Sequence, residues 1–370
     1  MSRNAHISRL LLGLLWVHLT GAVNALDPTS ILSTTEPAAE RARIVVVEDS
    51  QATITFAPQL PAIETLVNQG IKAFTGDNNS ISAWRSLVTP KDIVGIKVHS
   101  QPGEIIGTRK AVVQAVAKSL IEAGIPSQQI IVWDKYKSHL RLAGFYDLEK
   151  QLGIKVEASA AAGWDPDVFY ENALIGKPIW GDLEFGRKGK EVGRKSYFSK
   201  LVTRRITRHI LISPLLNDNV AGVTGNLMSL ALGSVDNTIR FESRSTPMAK
   251  AVPEIFGQTQ LYDRLALVIV DSLICQYQGG EHNRLHYARV LNQLRFSSDP
   301  VAQDVLSLHE LEAQRVKAGI PVRRHPRDLV INAALLELGI ASPRHILIEH
   351  PEANTANPLD LILRTAAERN

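Results

Sequence analysis

The sequence predicts an α/β fold, with a mostly parallel central sheet flanked by helices and an inserted middle lobe of irregular and antiparallel structure. Two observations support this prediction. Residues 91–134 contain two short, nearly all-apolar strands separated by one amphipathic helix, a pattern typical of a parallel pair covered on both faces. Further apolar strands and helical patterns then follow along the chain, as in other α/β domains.

The predicted elements follow one another from residue 43. Thr108 is expected to cap the helix of the first strand–helix–strand unit, and Gly124 is expected to end it. Ser298 or Asp299 should cap a later helix that Pro300 opens. The predicted strands are 43–48, 92–99, 129–134, 208–213, 265–271 and 345–348, and the predicted helices are 61–74, 108–124, part of 220–232, 300–317 and 326–339.

The middle of the chain, residues 157–206, has weak periodicity and many glycines and aromatic residues. We predict that it forms the inserted lobe, built from turns and short antiparallel strands. From Arg187 to Arg208 there are nine lysines or arginines and one acid, Glu191. This stretch is either an anion-binding strip or a solvated surface hairpin, and the hairpin is favoured because runs of charge are usually solvated.

The first 25 residues resemble a secretory signal peptide. Arg3 and Arg9 precede an apolar run, and Val23 and Ala25 suit the two specificity positions of a cleavage site after Ala25. The apolar run is shorter than the roughly 20 residues that span a bilayer. We therefore expect a periplasmic or secreted protein with no stable membrane anchor after cleavage; the alternatives are an uncleaved anchor or a buried N-terminal helix.

The remaining chain is expected to contain one domain. Residues 26–42 are rich in Pro, Ser, Thr, Ala and Glu, which predicts a flexible leader. Residues 43–370 should then form a single α/β domain with the lobe at about 157–206 inserted in it. The net charge of +4 and the pI of about 9.1 are too weak to indicate a nucleic-acid partner.

A single cysteine, Cys275, limits the chemistry of the chain. It excludes an intramolecular disulfide, and it excludes an iron–sulfur cluster held by this chain, because such a cluster needs about four thiolates. Cys275 follows an apolar run, so a buried structural thiol is favoured over a catalytic one.

Polar residues stand where several predicted strands end. Lys97 and His99 end one strand, Asp134 ends the next, the segment 217–219 follows a third, and Asp271 ends a fourth. Ligands of open parallel sheets bind beyond the carboxyl ends of the strands, so these side chains are expected to converge on one crevice that holds a small molecule. The alternative is that the aspartates only cap turns or helices.

Two loops add further candidates. In 217–226, Gly222 and Gly225 allow the backbone to approach a ligand, and Thr224 and Asn226 can both donate and accept hydrogen bonds. Glu281 and His282 follow two glycines and are either ligands or the exposed polar tip of a glycine turn. Asp299 and Asp304 lie at the predicted start of a helix, where a negative charge interacts favourably with the helix dipole. This structural role is sufficient to account for both residues without a ligand.

Three segments in order, 92–99 (DIVGIKVH), 221–226 (AGVTGN) and 298–304 (SDPVAQD), resemble the domain-of-unknown-function 362 family. The resemblance implies a mixed α/β fold and a shared polar site around Thr224, Asn226, Asp271 and Asp299, but no activity. Many relatives have a Lys-Asn pair where this chain has Met228-Ser229, and some carry cysteine clusters. This chain resembles an exported variant without the iron–sulfur cysteines.

Three functional hypotheses follow. The first is an exported enzyme for a small polar or anionic substrate, with a divalent metal held by carboxylates. The second is a non-catalytic binding protein for a metal or small anion, and the third is a partner-binding protein with an apolar patch from Trp164, Trp180 and Phe185. The assigned residues are His99, Asp134 and Asp271 for catalysis, Lys97, Asn219, Thr224, Asn226 and Asp299 for substrate binding, and Asp218, Asp271 and Glu281 for a metal.

Overall fold

A nine-stranded sheet organises the chain. The structure is a computed structural model that describes residues 41–176, 193–321 and 327–351. The strands are β1 (Ala42–Glu48), β2 (Thr53–Ile54), β3 (Ala57–Pro58), β4 (Val94–Val98), β5 (Ile130–Asp134), β6 (Lys155–Ala158), β7 (Trp164–Gly176), β8 (Gly193–Ser199), β9 (Arg208–Asp218), β10 (Gly222–Val223), β11 (Leu265–Gln276), β12 (Ala288–Ser297) and β13 (Ile346–Glu349).

Helices cover both faces of this sheet. They are α1 (Leu60–Thr75), α2 (Ser80–Leu87), α3 (Lys110–Glu122), α4 (Lys137–Leu142), α5 (Asp147–Leu152), α6 (Ser159–Ala162), α7 (Lys200–Arg204), α8 (Asn226–Ser234), α9 (Ser245–Phe256), α10 (Pro300–Lys317) and α11 (Asp328–Leu335).

The strand order in the sheet is β13-β1-β12-β11-β9-β4-β5-β6, and β10 pairs with the end of β9. Every neighbouring pair is parallel except those that involve β12 or β10, which are antiparallel. The predicted fold class, a mostly parallel sheet flanked by helices, is confirmed. Because β4, β5, β9 and β11 run in the same direction, their carboxyl ends lie at one edge of the sheet.

Alternating side chains of the central strands enter two separate cores. Ile210 and Ile212 of β9 face the core that α1, α2 and α3 cover, whereas Leu211 faces the core under α8, α9 and α10. In β4 the first core receives Val94, Ile96 and Val98, while the other face carries only glycine and a buried lysine. β4 is therefore apolar on one face and has a buried lysine, Lys97, on the other. This lysine lies next to the candidate functional site.

The predicted elements are present, with differences at their ends. The helix expected to be capped by Thr108 begins at Lys110, with Arg109 in the capping position. Thr108 instead joins two strands, because its Oγ1 accepts a hydrogen bond from the amide of His99 at 2.9 Å and donates to the carbonyl of Ile212 at 2.8 Å. The predicted strands 208–213 and 265–271 each continue for five more residues.

Three strands of the sheet, β6, β10 and β12, were not predicted, and β12 is the longest of them. The sequence of β12 mixes charged and apolar residues, and Asn292 within it adopts a positive φ of 56°. The regular alternation that identifies a half-buried strand is therefore broken. Its two neighbours, β1 and β11, supply the pairing that its own sequence pattern does not indicate.

The middle lobe contains an antiparallel pair, β7 and β8, as expected for this region. Within the basic stretch, Arg204 forms an ion pair with Asp165 at 2.8 Å and Arg205 forms one with Glu157. Trp180, Phe185 and the basic stretch before residue 193 lie outside the described residues, as does the proposed signal peptide. No helix in the described ranges is both long enough and apolar enough to span a membrane.

Candidate functional site

A cavity of about 340 Å³ opens at the carboxyl ends of β4, β5 and β9. This is the edge of a parallel sheet where ligands bind in other α/β proteins. The cavity floor comes from the strand ends, and α4, α8, α9 and the loop after β11 form its walls. Its lining residues are His99, Gln101, Asp134, Lys135, Tyr136, His139, Asp218, Met228, Ser229, Leu232, Thr238, Glu242, Met248 and Glu281.

His99 and Glu281 are in contact with each other in the cavity wall. His99 follows directly on β4, and its Nε2 lies 3.0 Å from Oε1 of Glu281. This contact lacks the directionality of a hydrogen bond, so the buried Nε2 has no hydrogen-bond partner. The other oxygen of Glu281 accepts a hydrogen bond from the side-chain amide of Gln101. The histidine and the carboxylate thus lie side by side in the lining of the cavity.

Glu281 reaches the cavity because its loop is held in place at both ends. Gly279 and Gly280 adopt φ values of 104° and 60°, which glycine tolerates far better than other residues. The amide of Gly280 donates to Oδ1 of Asn217 at 3.2 Å, and the side chain of Gln276 donates to the carbonyl of Gly280 at 2.8 Å. The glycine turn is therefore a support that directs Glu281 inward, while His282 is exposed.

Asp218 enters the cavity from the end of β9. Its Oδ1 accepts hydrogen bonds from the amides of Val220 and Ala221 at 2.7 and 2.6 Å. Burial raises the pKa of this carboxyl above its usual value, and the negative charge of Glu281 raises it further, against the amides and His99. Asp218 is consequently easier to protonate than an exposed aspartate.

A buried ion pair lies beneath the cavity floor. Nζ of Lys97 is 2.9 Å from Oδ1 of Asp134, and it donates to Oγ of Ser229 at 3.0 Å and to the carbonyl of Val98 at 2.6 Å. All three of its N–H bonds are therefore used inside the protein. Gly233 of α8 makes room for the lysine, because a Cβ at that position would lie 2.3 Å from Cε of Lys97.

Asp134 is saturated with donors. Besides Lys97, its oxygens accept from the amide and hydroxyl of Ser100 at 2.8 and 2.6 Å and from the amide of Lys135 at 2.8 Å. Burial alone would raise the pKa of Asp134, but Lys97, His99 and Ser100 together lower it to about 2. Burial lowers the pKa of Lys97, and Asp134 opposes that change. Asp134 is therefore ionised at neutral pH, and it holds the start of the loop after β4.

The structure brings His99, Asp134, Asp218 and Glu281 together at one cavity, and Lys97 lies directly behind it. Asp271 is not among the lining residues. Its carboxylate is fully buried and accepts from the guanidinium and the amide of Arg109, both at 3.0 Å. The predicted metal set of Asp218, Asp271 and Glu281 is thus not assembled around this cavity. Residues in the described ranges contain no group of three or more His, Cys, Asp or Glu suited to a metal.

The other predicted substrate-binding residues also lie outside the cavity lining. Thr224 is buried, and its hydroxyl has no hydrogen-bond partner among the described residues. Asp299 caps α10 through the amide of Ala302 at 2.8 Å, as its position before a proline indicates, and it also accepts from the amide of Ile340. Asn219 is exposed beside the glycine turn.

Asn226 belongs to a second buried junction. The carboxylate of Asp304, on α10, accepts from the amide and side chain of Asn226 at 2.7 and 2.8 Å and from the amide of Leu227 at 3.1 Å. It therefore caps the start of α8 from another helix, and Gly225 leaves the space that its carboxylate needs. Complete burial raises the pKa of Asp304 to about 7 despite these donors.

Several lining residues were not predicted from the sequence. Lys135, Tyr136 and His139 directly follow the strand that Asp134 ends, so extending the strand-end rule by five residues would have included them. Glu242 and Met248 reach the cavity from the region around α9. No element was predicted in this region, so its residues were not considered as candidates.

Comparisons with known proteins add little to this description. No family model matches the chain, so the resemblance to the domain-of-unknown-function 362 family stays a prediction. No curated protein matches it either. A crystal structure of a protein from Thermotoga maritima is similar to 72% of this chain with 10% identity and a TM-score of 0.39. The aligned region spans 60% of that protein's length.

We expect the substitution Lys97→Met to lower the free energy of unfolding by about 3–5 kcal/mol, because it leaves Asp134 buried without its cation. The double variant Lys97→Met, Asp134→Leu should lose less, since it buries no unpaired charge. Urea unfolding followed by circular dichroism measures both, with Lys118→Met on the surface as the control. Equal stability of the single variant and the unchanged protein would contradict the role given to this ion pair.

The carboxyl of Asp304 should make the stability depend on pH in the opposite direction to most aspartates. Its pKa is about 7 in the folded chain against an ordinary value of 3.8, so the folded state binds more protons between these values. Stability from this group is present below about pH 4 and is lost as the pH rises to about 7, by at most roughly 4 kcal/mol.

The measurement is urea unfolding at several pH values for the unchanged protein and for Asp304→Asn. The stability of the unchanged protein relative to Asp304→Asn should fall as the pH rises from about 4 to about 7, because Asn stays neutral while Asp304 ionises. The exposed Asp167→Asn variant is the control. A relative stability of the unchanged protein that rises with pH would contradict the raised pKa.

Proposed function

We propose that this chain is an enzyme whose cavity binds a small polar molecule and acts on it by general acid–base chemistry. The observation that carries the proposal is the pair of His99 Nε2 and Glu281 Oε1, 3.0 Å apart in the wall of a cavity at the carboxyl ends of parallel strands. A histidine beside a carboxylate is the usual arrangement for a proton acceptor near neutral pH, because the carboxylate orients and stabilises the imidazolium.

The remaining groups have supporting roles in this proposal. Asp218 lies beside the pair and would donate or accept a second proton at the opposite side of the ligand. Asp134 and Lys97 do not react, because their donors and acceptors are already used within the protein. They hold the loop that carries His99 and fix the floor of the cavity.

A second candidate is a binding protein without turnover, for a small ligand or a divalent metal. The presence of Asp218 and Glu281 in one cavity lining favours it, since the charge of Glu281 raises the pKa of Asp218 and a bound cation would relieve that repulsion. Elemental analysis of protein purified without chelators tests the metal directly. A stoichiometric metal that is lost in Glu281→Gln would support this second candidate.

Export is part of the proposal and rests on the sequence of residues 1–25. Expression of the full chain in a bacterium with a general secretion pathway should yield mature protein outside the cytoplasm. Its intact mass should correspond to a chain that begins at Leu26, after cleavage behind Ala25. Recovery of only the full-length chain from the cytoplasm or the membrane would contradict export with cleavage.

The catalytic proposal is tested by turnover. The purified chain is incubated with a complex small-molecule extract and with nitrophenyl esters, phosphates and glycosides, and products are followed by mass spectrometry and absorbance. We expect consumption of at least one compound, and a loss of about 10²–10⁴-fold in His99→Asn, the range typical of a lost general base. Glu281→Gln should be impaired as well, since the imidazolium loses its carboxylate.

The matched controls are Asp167→Asn and Glu64→Gln, which change carboxylates away from the cavity. Retention of one compound without its conversion would favour the binding protein. Turnover that is unchanged in His99→Asn would remove His99 from the mechanism.

A further inference from the structure

We propose that the ligand of this cavity is an organic cation, a protonated primary or secondary amine attached to an apolar group. The inference rests on the proposed function, since it assumes that the cavity binds a small molecule. It adds the sign of the ligand's charge and the chemical nature of the rest of the ligand. Neither the sequence pattern nor the comparisons assign either property.

The charge balance of the lining favours a cation. Among the described residues around the cavity, four are carboxylates and one is a lysine. Lys97 neutralises Asp134 from behind, which leaves Asp218, Glu242 and Glu281 facing the space. A concave surface with excess negative charge attracts cations and disfavours anions. The charge of the lining therefore favours a cationic ligand over the anionic ligand that was one of the expectations from the sequence.

The lining lysine does not reverse this balance. The ammonium group of Lys135 donates to the carbonyl of Asp236 at 2.7 Å and to the hydroxyl of Thr238 at 3.0 Å. It also lies 5.5 Å from the ring centroid of Tyr136. Because these contacts hold the lysine against the wall, turning it toward an anionic ligand would cost the protein two hydrogen bonds.

A second observation points to a donor on the ligand. Nε2 of His99 is buried in the cavity wall and makes no hydrogen bond within the protein. A buried polar atom without a partner is costly, and natural proteins rarely leave one unsatisfied. In the neutral imidazole with its proton on Nδ1, Nε2 accepts a hydrogen bond. An ammonium N–H supplies that donor and places its positive charge beside Glu281 and Asp218.

The apolar part of the lining explains why the cation is organic. Met228, Leu232 and Met248 present apolar surface to the cavity, and the rings of Tyr136 and His139 meet edge to face at 5.2 Å. A hydrated inorganic cation gains nothing from such surface, whereas a hydrocarbon group on the ligand would bury it. A lining that combines apolar side chains with a few polar groups is typical of sites for amphipathic small molecules.

Three probes of nearly the same shape separate charge from size. They are benzylamine, which is protonated at pH 7, benzyl alcohol, which is neutral, and benzoate, which is negative. Dissociation constants are measured for the mature chain by calorimetry or saturation-transfer NMR. We expect benzylamine to bind at least about 10-fold more tightly than benzyl alcohol, a difference of about 1.4 kcal/mol, and we expect no binding of benzoate.

Variants assign the effect to this cavity. Glu281→Gln and Asp218→Asn each keep one acceptor oxygen and remove one charge, so the folded structure should persist, and each should weaken benzylamine binding by about 10-fold. Benzyl alcohol should be unaffected by either substitution. Asp167→Asn and Glu64→Gln remove one negative charge away from the cavity and should leave benzylamine binding unchanged.

The opposite results overturn the inference in distinguishable ways. Benzoate binding more tightly than benzylamine would reverse the sign of the charge and leave the cavity as a ligand site. Tight binding of MgCl₂ alone, lost in Glu281→Gln, with no preference for benzylamine would assign the carboxylates to a metal. If none of the probes binds, the amine is rejected, while the turnover experiment with His99→Asn still decides the proposed function independently.

Discussion

The ion pair between Lys97 and Asp134 is the constraint on which the arrangement of this site depends. A lysine on a central strand, with no exposure to water, is stable only because a carboxylate, a hydroxyl and a carbonyl take its three N–H bonds. The same carboxylate holds the amide and hydroxyl of Ser100. The loop that leaves β4 therefore has one preferred path, and His99 lies on it.

The helix that covers this pair is itself positioned by a charge. Asp304 belongs to α10, yet it caps α8 by accepting from the backbone of Asn226 and Leu227. Because α8 carries Met228, Ser229 and Leu232 into the cavity wall, its start must be fixed for the wall to keep its shape. The segments that resemble the domain-of-unknown-function 362 family include both residues of this junction, and here they contact each other rather than the cavity.

The sequence predicted the fold well because the central strands are almost wholly apolar and end in turns with clear chemistry. The rule that ligands bind beyond strand ends included His99, Asp134 and Asp218, which line one cavity, because parallel strands bring their carboxyl ends together. Glu281 came from a separate glycine loop, for which the sequence also allowed an exposed turn.

The same reasoning could not separate ligand-facing aspartates from those with internal partners. Asp271 also ends an apolar run, but Arg109, 162 residues earlier in the chain, occupies its carboxylate. A contact of that kind depends on packing between distant elements and leaves no local pattern. The contribution of Glu242 to the cavity was hidden for the same reason, because it depends on how the segment before α9 folds back over the strand ends.

The position of β1 has a consequence for how the domain is made. Its partners in the sheet, β12 and β13, come from residues 288–349. The first strand of the described chain can therefore pair in the sheet only after residues 288–349 have been synthesised. The sheet consequently contains many contacts between distant parts of the sequence. Such topologies close slowly. Most of this chain would leave the ribosome before this edge of the sheet could form. Until β12 and β13 have emerged, β1 is an unpaired apolar strand to which a chaperone could bind.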